Sequence, residues 1–461
     1  MEAYRNGVED YLIDSLSFKL PPGSSYVVDR KKSSFWAIGS NIYAPTSGTK
    51  VMKFHLSGEQ GTWLDPGSVR LQFGVRNNDT TTGKLLRPLG GAHLFIRRLR
   101  VLVANTLVED IMYYGRNHEM IETLYANNAA RFNIDIENFG YRNIEEADWV
   151  PVTIANTRGI PAGTVQPVSF RLLSGLLGVS NKKYLPLKHA PITIEIEIVN
   201  DAKEPLISEY DGQSGGSALT DANTGTNWQL EDVQIKCDTV LLDSGLNENY
   251  TRHLLEGKAL PLEFETYIAQ ENSIVNNNVA VQISRAVSKL NRMFLTFYKP
   301  VKDDGETDFQ LKQNEVKPGI SFYHPMQAGS IESTKKTTYN ATKELEFQIQ
   351  LGGKLYPEYP CRSINECFSI LKETLNLPEK YQHSIGISFD EYIRNKFIFG
   401  MDFEKVPDVD WSGINTKAGQ ILIVKVKGGS GIPKNIATSM FSTLVTQVVL
   451  EIRDVGCTLY D

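Results

Sequence analysis

No run of 18 uninterrupted apolar residues occurs in this sequence, so no membrane-spanning helix is expected. No charge of one sign prevails either: 48 basic residues stand against 54 acidic ones, a formal net charge of −6. The dense basic surface that grips phosphates is missing, which argues against nucleic-acid binding as the main task. Cysteine is scarce. Its four positions (Cys237, Cys361, Cys367, Cys457) form no CxxC pair, so buried, reduced thiols made in a reducing compartment are expected. The opening residues, MEAYRNGVEDYLIDSL, carry acidic groups and no apolar core, so no secretory signal is expected. Asn78, Asn249 and Asn340 begin Asn-x-Thr triplets, which stay silent without such a signal.

Sequence signatures of catalysis are equally thin. GxxxxGK[ST] and HExxH are absent. Gly212-Gln213-Ser214-Gly215-Gly216 spells GxSxG, but its flanks are polar and Gly/Ser-rich where a nucleophile elbow needs a buried strand and a helix. Seven histidines (His55, His93, His118, His189, His253, His324, His383) are scattered without metal-ligating spacing. Glu195 and Glu197 share a strand face about 7 Å apart, a spacing open to a glycosidase-like pair but ordinary for a solvated face. Arg97-Arg98 with Arg100, Lys182-Lys183 and Lys335-Lys336 are short basic clusters among acidic neighbours. Strand alternation predicts that Arg97 and Arg98 point to opposite faces and form no single patch. No catalytic, cofactor-binding or metal residue is assigned, and no cofactor is expected.

What is present is a strand pattern. VRLQFGV, PITIEIEIV and LEFQIQL alternate apolar and polar residues, as do MKFHL, VQIKC, LEFET and ILIVKVK. Pro22-Gly23, Asp65-Pro66-Gly67 and Gly428-Gly429 punctuate them. One apolar face per strand means antiparallel sheets packed on one side, a sandwich or barrel and not a doubly wound α/β fold. Helices are expected at about 113–127, 245–257 and 363–375, the last opened by the capping box Ser363-Ile364-Asn365-Glu366.

One arrangement occurs twice. LRVLVANTLVEDIMYYGRNHEMIETL reads as strand, turn at Ala104-Asn105, strand and helix, and LEFQIQLGGKLYPEYPCRSINECFSIL repeats it with Gly352-Gly353 at the turn. Met120, Ile121 and Leu124 fall opposite Cys367, Phe368 and Leu371, an offset of 247 positions. Each trio forms an apolar stripe, which predicts Ile121 and Phe368 as core residues of their own domains. The closing strand TLVTQVVLEIRDVGCTLYD also resembles WQLEDVQIKCDTVLLD, down to its Cys-bearing end. Two copies of one β-rich domain are expected, with a junction near 244–259: an N-terminal arm at 1–24, domains at 25–244 and 259–461, and a short helical linker at 245–258. Polar insertions at 77–91, 201–227, 300–318 and 328–343 are expected as loops, and 201–227 as a surface loop unable to anchor a core.

This succession resembles a known family. SSFWAIGSNIYAPTSGTKVMKFHLSG, WLDPGSVRLQFGVRNND, LRPLGGAHLFIRRLRVLVANTLVEDI, YYGRNHEMIETL and KKYLPLKHAPITIEIEIV are similar to runs in the double jelly-roll major capsid proteins of icosahedral double-stranded DNA viruses, of Polinton-type elements and of virophages. The similarity in wording is concentrated in residues 33–200; the second half matches by layout. The resemblance implies an all-β chain of two tandem antiparallel jelly-roll sandwiches with a few short helices in loops. It implies a structural protein, not an enzyme, that forms homotrimers of pseudo-hexagonal outline and tiles a shell in the virion. Its partners would be itself, neighbouring capsomers and minor capsid or penton proteins, with synthesis in the host cytoplasm. A tandem jelly-roll hydrolase acting on glycans, or a lectin-like binding protein, is the alternative of a different class.

Overall fold

A computed structural model describes residues 26–59, 61–142, 158–178, 183–207, 222–274, 278–298, 322, 345–377, 385–392, 396–406, 411–417, 421–428 and 439–461. The arm at 1–24, the GxSxG stretch, Lys335-Lys336, His324, His383 and the insertions at 300–318 and 328–343 lie outside these residues. The first half contains β1 (Val27–Trp36), β2 (Ile42–Tyr43), β3 (Val51–Leu56), β4 (Thr62–Asn77), β5 (Ile96–Val103), β6 (Thr106–Met112), β7 (Val165–Arg171), β8 (Leu185–Pro186), β9 (Ile192–Ile198) and β10 (Trp228–Leu242). The second contains β11 (Leu260–Ser273), β12 (Asn278–Ile283), β13 (Leu290–Tyr298), β14 (Leu345–Leu351), β15 (Lys354–Cys361), β16 (Phe399–Asp402), β17 (Leu422–Gly428), β18 (Ser439–Arg453) and β19 (Gly456–Tyr460).

The pairing order is the same in both halves. The first forms sheets β1-β10-β4-β7 and β3-β9-β5-β6, and the second forms β11-β18-β13-β16 and β12-β17-β14-β15. With β2, β8 and β19 set aside, the long strands of each half run 1-8-3-6 in one sheet and 2-7-4-5 in the other. That is jelly-roll topology, twice. Local chemistry explains the strands. In β9, Ile192, Ile194, Ile196 and Ile198 are buried while Thr193, Glu195 and Glu197 face outward. The β5–β6 turn is made by Ala104 and Asn105, both at positive φ (46° and 66°), the tight hairpin geometry that matches strand twist.

Five helices join the strands among the described residues: α1 (Tyr114–Tyr125), α2 (Asn128–Glu137), α3 (Ser244–Leu255), α4 (Ile364–Thr374) and α5 (Phe389–Tyr392). α1 and α4 follow the fifth long strand of their halves, as the repeat predicted. At the start of α4 the Ser363 hydroxyl accepts from the Glu366 amide (3.0 Å), and the Glu366 carboxylate accepts from the Arg362 amide (2.9 Å). α3 packs its Leu246, Tyr250 and Leu254 into the first core, with the Tyr250 ring 4.9 Å from Trp63.

The structure departs from the sequence pattern in two places. Met120 and Leu124 are buried in the core of the second sandwich, not of their own, and Ile121 is only half-buried against that same core. Phe368 is likewise half-buried, its ring edge-on to Tyr392 at 5.0 Å. Ile121→Ala and Phe368→Ala should therefore each cost about 1–2 kcal/mol, against about 2–5 kcal/mol for the fully buried Leu371→Ala. Urea melts of the three variants check that ranking. The closing strand is also two strands. β18 ends at Arg453, the chain turns through Asp454 and Val455, and β19 pairs back along β18 (Val449↔Tyr460 to Arg453↔Gly456). β19 takes the place that the start of β4, paired with β10, holds in the first half. Cys237 and Cys457 are thus not equivalent.

Candidate functional site

The carboxylate pair singled out by the sequence belongs to a charge ladder across the outer face of the β3-β9-β5-β6 sheet. Glu195 accepts Arg100 (2.8 Å) and Lys53 (3.1 Å), Glu197 accepts Arg97 (3.4 Å), and Asp110 holds both ends of the Arg98 fork (2.7 Å each). Both glutamates are matched by cations, which suits a structural face better than a general acid beside a free base. The expectation that Arg97 and Arg98 point apart is wrong. A bulge between Ile96 and Arg98 breaks the alternation and turns both arginines toward the acids of one face.

Sequence spacing missed a buried ionic cluster. The turn at Ala92–Phe95 carries His93 against α1, where its Nε2 meets Glu119 at 2.9 Å and its ring stacks on His118 at 4.2 Å. Arg142 is the hub: its Nη1 donates to Glu119 (3.0 Å), Nη2 to Glu122 (2.7 Å) and Nε to Asp135 of α2 (2.6 Å). Burial alone would raise Glu119, but Arg142 and His93 outweigh it and hold the carboxyl well below the usual range. Burial, together with the neighbouring His93, pushes His118 down to about 4. Atoms of His93, His118 and Glu122 that could ligate a metal lie within 4.8 Å of one another. The two rings, however, are tilted by only 15°. An ion must lie in the plane of each imidazole it binds, so these rings as placed cannot share one. The one sequence hint was the helical i, i+4 spacing of His118 and Glu122.

The cluster has a pH consequence. His118 is neutral in the folded protein down to about pH 4, whereas the unfolded chain protonates it near 6.5. The unfolded state therefore binds more protons between those values, and stability falls as pH drops through that window, by up to about 3 kcal/mol. His118→Gln should flatten the profile. Thermal melts from pH 7 to pH 4 on both proteins check it, and parallel profiles would refute it.

The seam between the sandwiches is held by buried hydrogen bonds. Glu109 on β6 is 2 % exposed and accepts from Ser174 Oγ, from the Gly175 amide (2.8 Å) and from Thr266 Oγ1 of β11 (3.0 Å). Burial raises its pKa, and the four groups bonded to it, including the Leu176 amide, oppose the rise. Arg116 on α1 bonds Thr296 Oγ1 (3.0 Å) and Phe297 O (3.1 Å) of β13, its guanidinium 4.4 Å from the Phe441 ring centre. Thr443 Oγ1 of β18 donates to Asn117 (2.6 Å), and Thr106 Oγ1 donates to Cys457 O (3.0 Å). This explains why β18 loses its alternation: from Met440 to Val448 it is buried on both faces.

At one end of the first sandwich, where Asn77 meets Trp228 and Arg76 meets Val165, the polar insertions interlock. Leu86 and Ile160 exchange amide bonds (3.0 and 2.8 Å), the Leu89 amide donates to Pro205 O (2.9 Å), and the Ile207 amide donates to Arg87 O (3.0 Å). Arg87 Nη1 donates to Asn223 O (2.8 Å). The surface-loop expectation for 201–227 fails at its ends: Leu206, Ile207 and Thr224 are buried. Its middle, 208–221, lies outside the described residues.

No family model matches the sequence, and no curated protein matches it either. Solved structures do resemble the fold. PBCV-1 VP54, fitted into a reconstruction of the virophage Sputnik, is 11% identical over 95% of this chain and 97% of that one, with a TM-score of 0.59. The Faustovirus major capsid protein is 10% identical over 95% and 92%, with a TM-score of 0.57. A chain from the cryo-EM structure of the Sputnik virophage is 8% identical over 97% and 91%, also at 0.57. Over nearly its whole length, this chain has the double jelly-roll fold that those virus proteins share.

Proposed function

We propose that the chain is a major capsid protein of an icosahedral double-stranded DNA virus, assembled as homotrimers in the virion. One observation carries the reading: two sandwiches of identical strand order, locked side by side through a buried seam. Two similar wedges per chain give three copies a near-sixfold outline, a shape that tiles a curved shell. A trimer closes only if two different faces of each copy meet. The mixed-sign ladder on the β3-β9-β5-β6 sheet supports contact with neighbouring protein better than contact with DNA. In this reading the chain works by shape and carries no catalytic or cofactor residues. Domains at 25–244 and 259–461 flank a helical linker, and neighbouring capsomers and minor capsid or penton proteins are the partners.

Light scattering on the purified protein tests this. A particle of three times the 51.6 kDa chain mass, pseudo-hexagonal in negative-stain images, is expected. A monomer at all concentrations that binds or cleaves glycans would overturn the proposal.

A further inference from the structure

Two of the four cysteines meet in the second sandwich. Cys361 closes β15 and Cys367 lies in the first turns of α4; their Sγ atoms are 3.2 Å apart and both residues are fully buried. The two thiols are within hydrogen-bond reach and no disulfide joins them. The chain turns between them through Arg362 and the Ser363 cap, so the strand-to-helix junction itself creates the contact. The first sandwich builds the same junction without sulfur pairing. There Met112 ends β6 and Tyr114 opens α1, no cysteine lies between Ile96 and Tyr125, and the Asn117 side chain secures the turn by donating to Met112 O (2.8 Å) and Tyr113 O (3.1 Å). The jelly-roll topology therefore does not require two thiols at this point. The other two cysteines lie elsewhere, Cys237 on β10 across from Ser33 and Cys457 on β19 across from Ile452.

We propose that Cys361 and Cys367 are a disulfide-forming pair, oxidised by exchange with a soluble disulfide. One cysteine loses its proton, and its sulfur attacks the soluble disulfide and expels one thiolate. The second cysteine, deprotonated in turn, attacks the mixed disulfide and expels the other thiolate. Two protons and two electrons leave the protein, one S–S bond forms within it, and the soluble disulfide is reduced to two thiols. Exchange requires the turn at Arg362–Ser363 to open, because neither sulfur is exposed; burial thus sets the rate. The bond would fasten α4 to the end of β15. The chemistry stands apart from the capsid role; that role adds only that a particle leaving a reducing cell meets oxidising conditions.

The test uses the intact chain. It is incubated with oxidised glutathione at neutral pH, in sub-denaturing urea so that the turn opens, then denatured in iodoacetamide and mapped by mass spectrometry. Cys361 and Cys367 should escape alkylation in one cross-linked, glutathione-free product, while Cys237 and Cys457 are alkylated. Cys361→Ser and Cys367→Ser should each abolish the cross-link. Alkylation of all four cysteines, glutathione retained on either sulfur of the wild type, or a cross-link to Cys237 or Cys457 would overturn the assignment. Light scattering on the same sample reports the oligomer separately, so a failed cross-link and a failed trimer are told apart.

Discussion

Gly175→Ala is expected to keep the two sandwiches from closing on each other. A Cβ at that position would overlap the Glu265 carbonyl oxygen and lie 2.7 Å from its carbon. Both obstacles are backbone, so no side-chain rotation relieves them. Glu265 sits within β11, paired with β18 from Leu260↔Ile452 to Ser273↔Ser439, and cannot easily withdraw. Any retreat of residue 175 also breaks its amide bond to Glu109, leaving that buried carboxyl short of a donor. A loss of more than about 4 kcal/mol is expected, seen as collapse of soluble yield or a much lower melting temperature. Gly48→Ala, where nothing lies within 4 Å, is the control. If both variants melt like the wild type, the close approach at the seam is wrong.

The second large effect belongs to Arg142→Met. Three carboxylates, Glu119, Glu122 and Asp135, face one guanidinium whose side chain is 1% exposed. Removing it leaves buried negative charge without its counter-ion, at a cost of about 3–5 kcal/mol. Glu119 and Glu122 should then take up protons at higher pH than in the wild type, because burial would no longer be opposed by the arginine. Arg142→Lys keeps the charge but not the three-way fork and should recover only part of the loss. Adding Glu119→Gln to Arg142→Met should restore stability relative to the single variant, which a double-mutant cycle in urea measures. Strict additivity would show that the two groups do not act together.

Strand alternation was a sound guide where one face of a strand is wet and its register is unbroken. β9 and β3 read off directly, the Ala104-Asn105 turn was visible, and the Ser363–Glu366 cap marked α4. The repeat was legible because α1 and α4 follow the same hairpin. Local patterning misled for physical reasons at three elements. β18 is covered on both sides, so its apolar run hid the turn into β19, which holds no proline and only Gly456 at positive φ. The bulge at Arg97 is a register event that a period of two cannot register. The stripe on α1 announced burial but not its destination, because nothing local tells Met120 which sandwich it will enter. The ionic cluster and the Glu109 cradle depend on residues brought together from far along the chain, such as Glu109 and Thr266, 157 positions apart.

That separation sets an order of events during synthesis. Asn117 waits for Thr443, 326 positions later, and Thr106 for Cys457, 351 positions later. Until the strands of the second sandwich have been made, α1 holds Met120 and Leu124 with no core to receive them. A chain that lacks the second sandwich therefore displays a sticky helix, and chaperones and proteases recognise such surfaces. Folding of the second sandwich is what conceals α1: a chain that has yet to build that core still shows the apolar side of this helix.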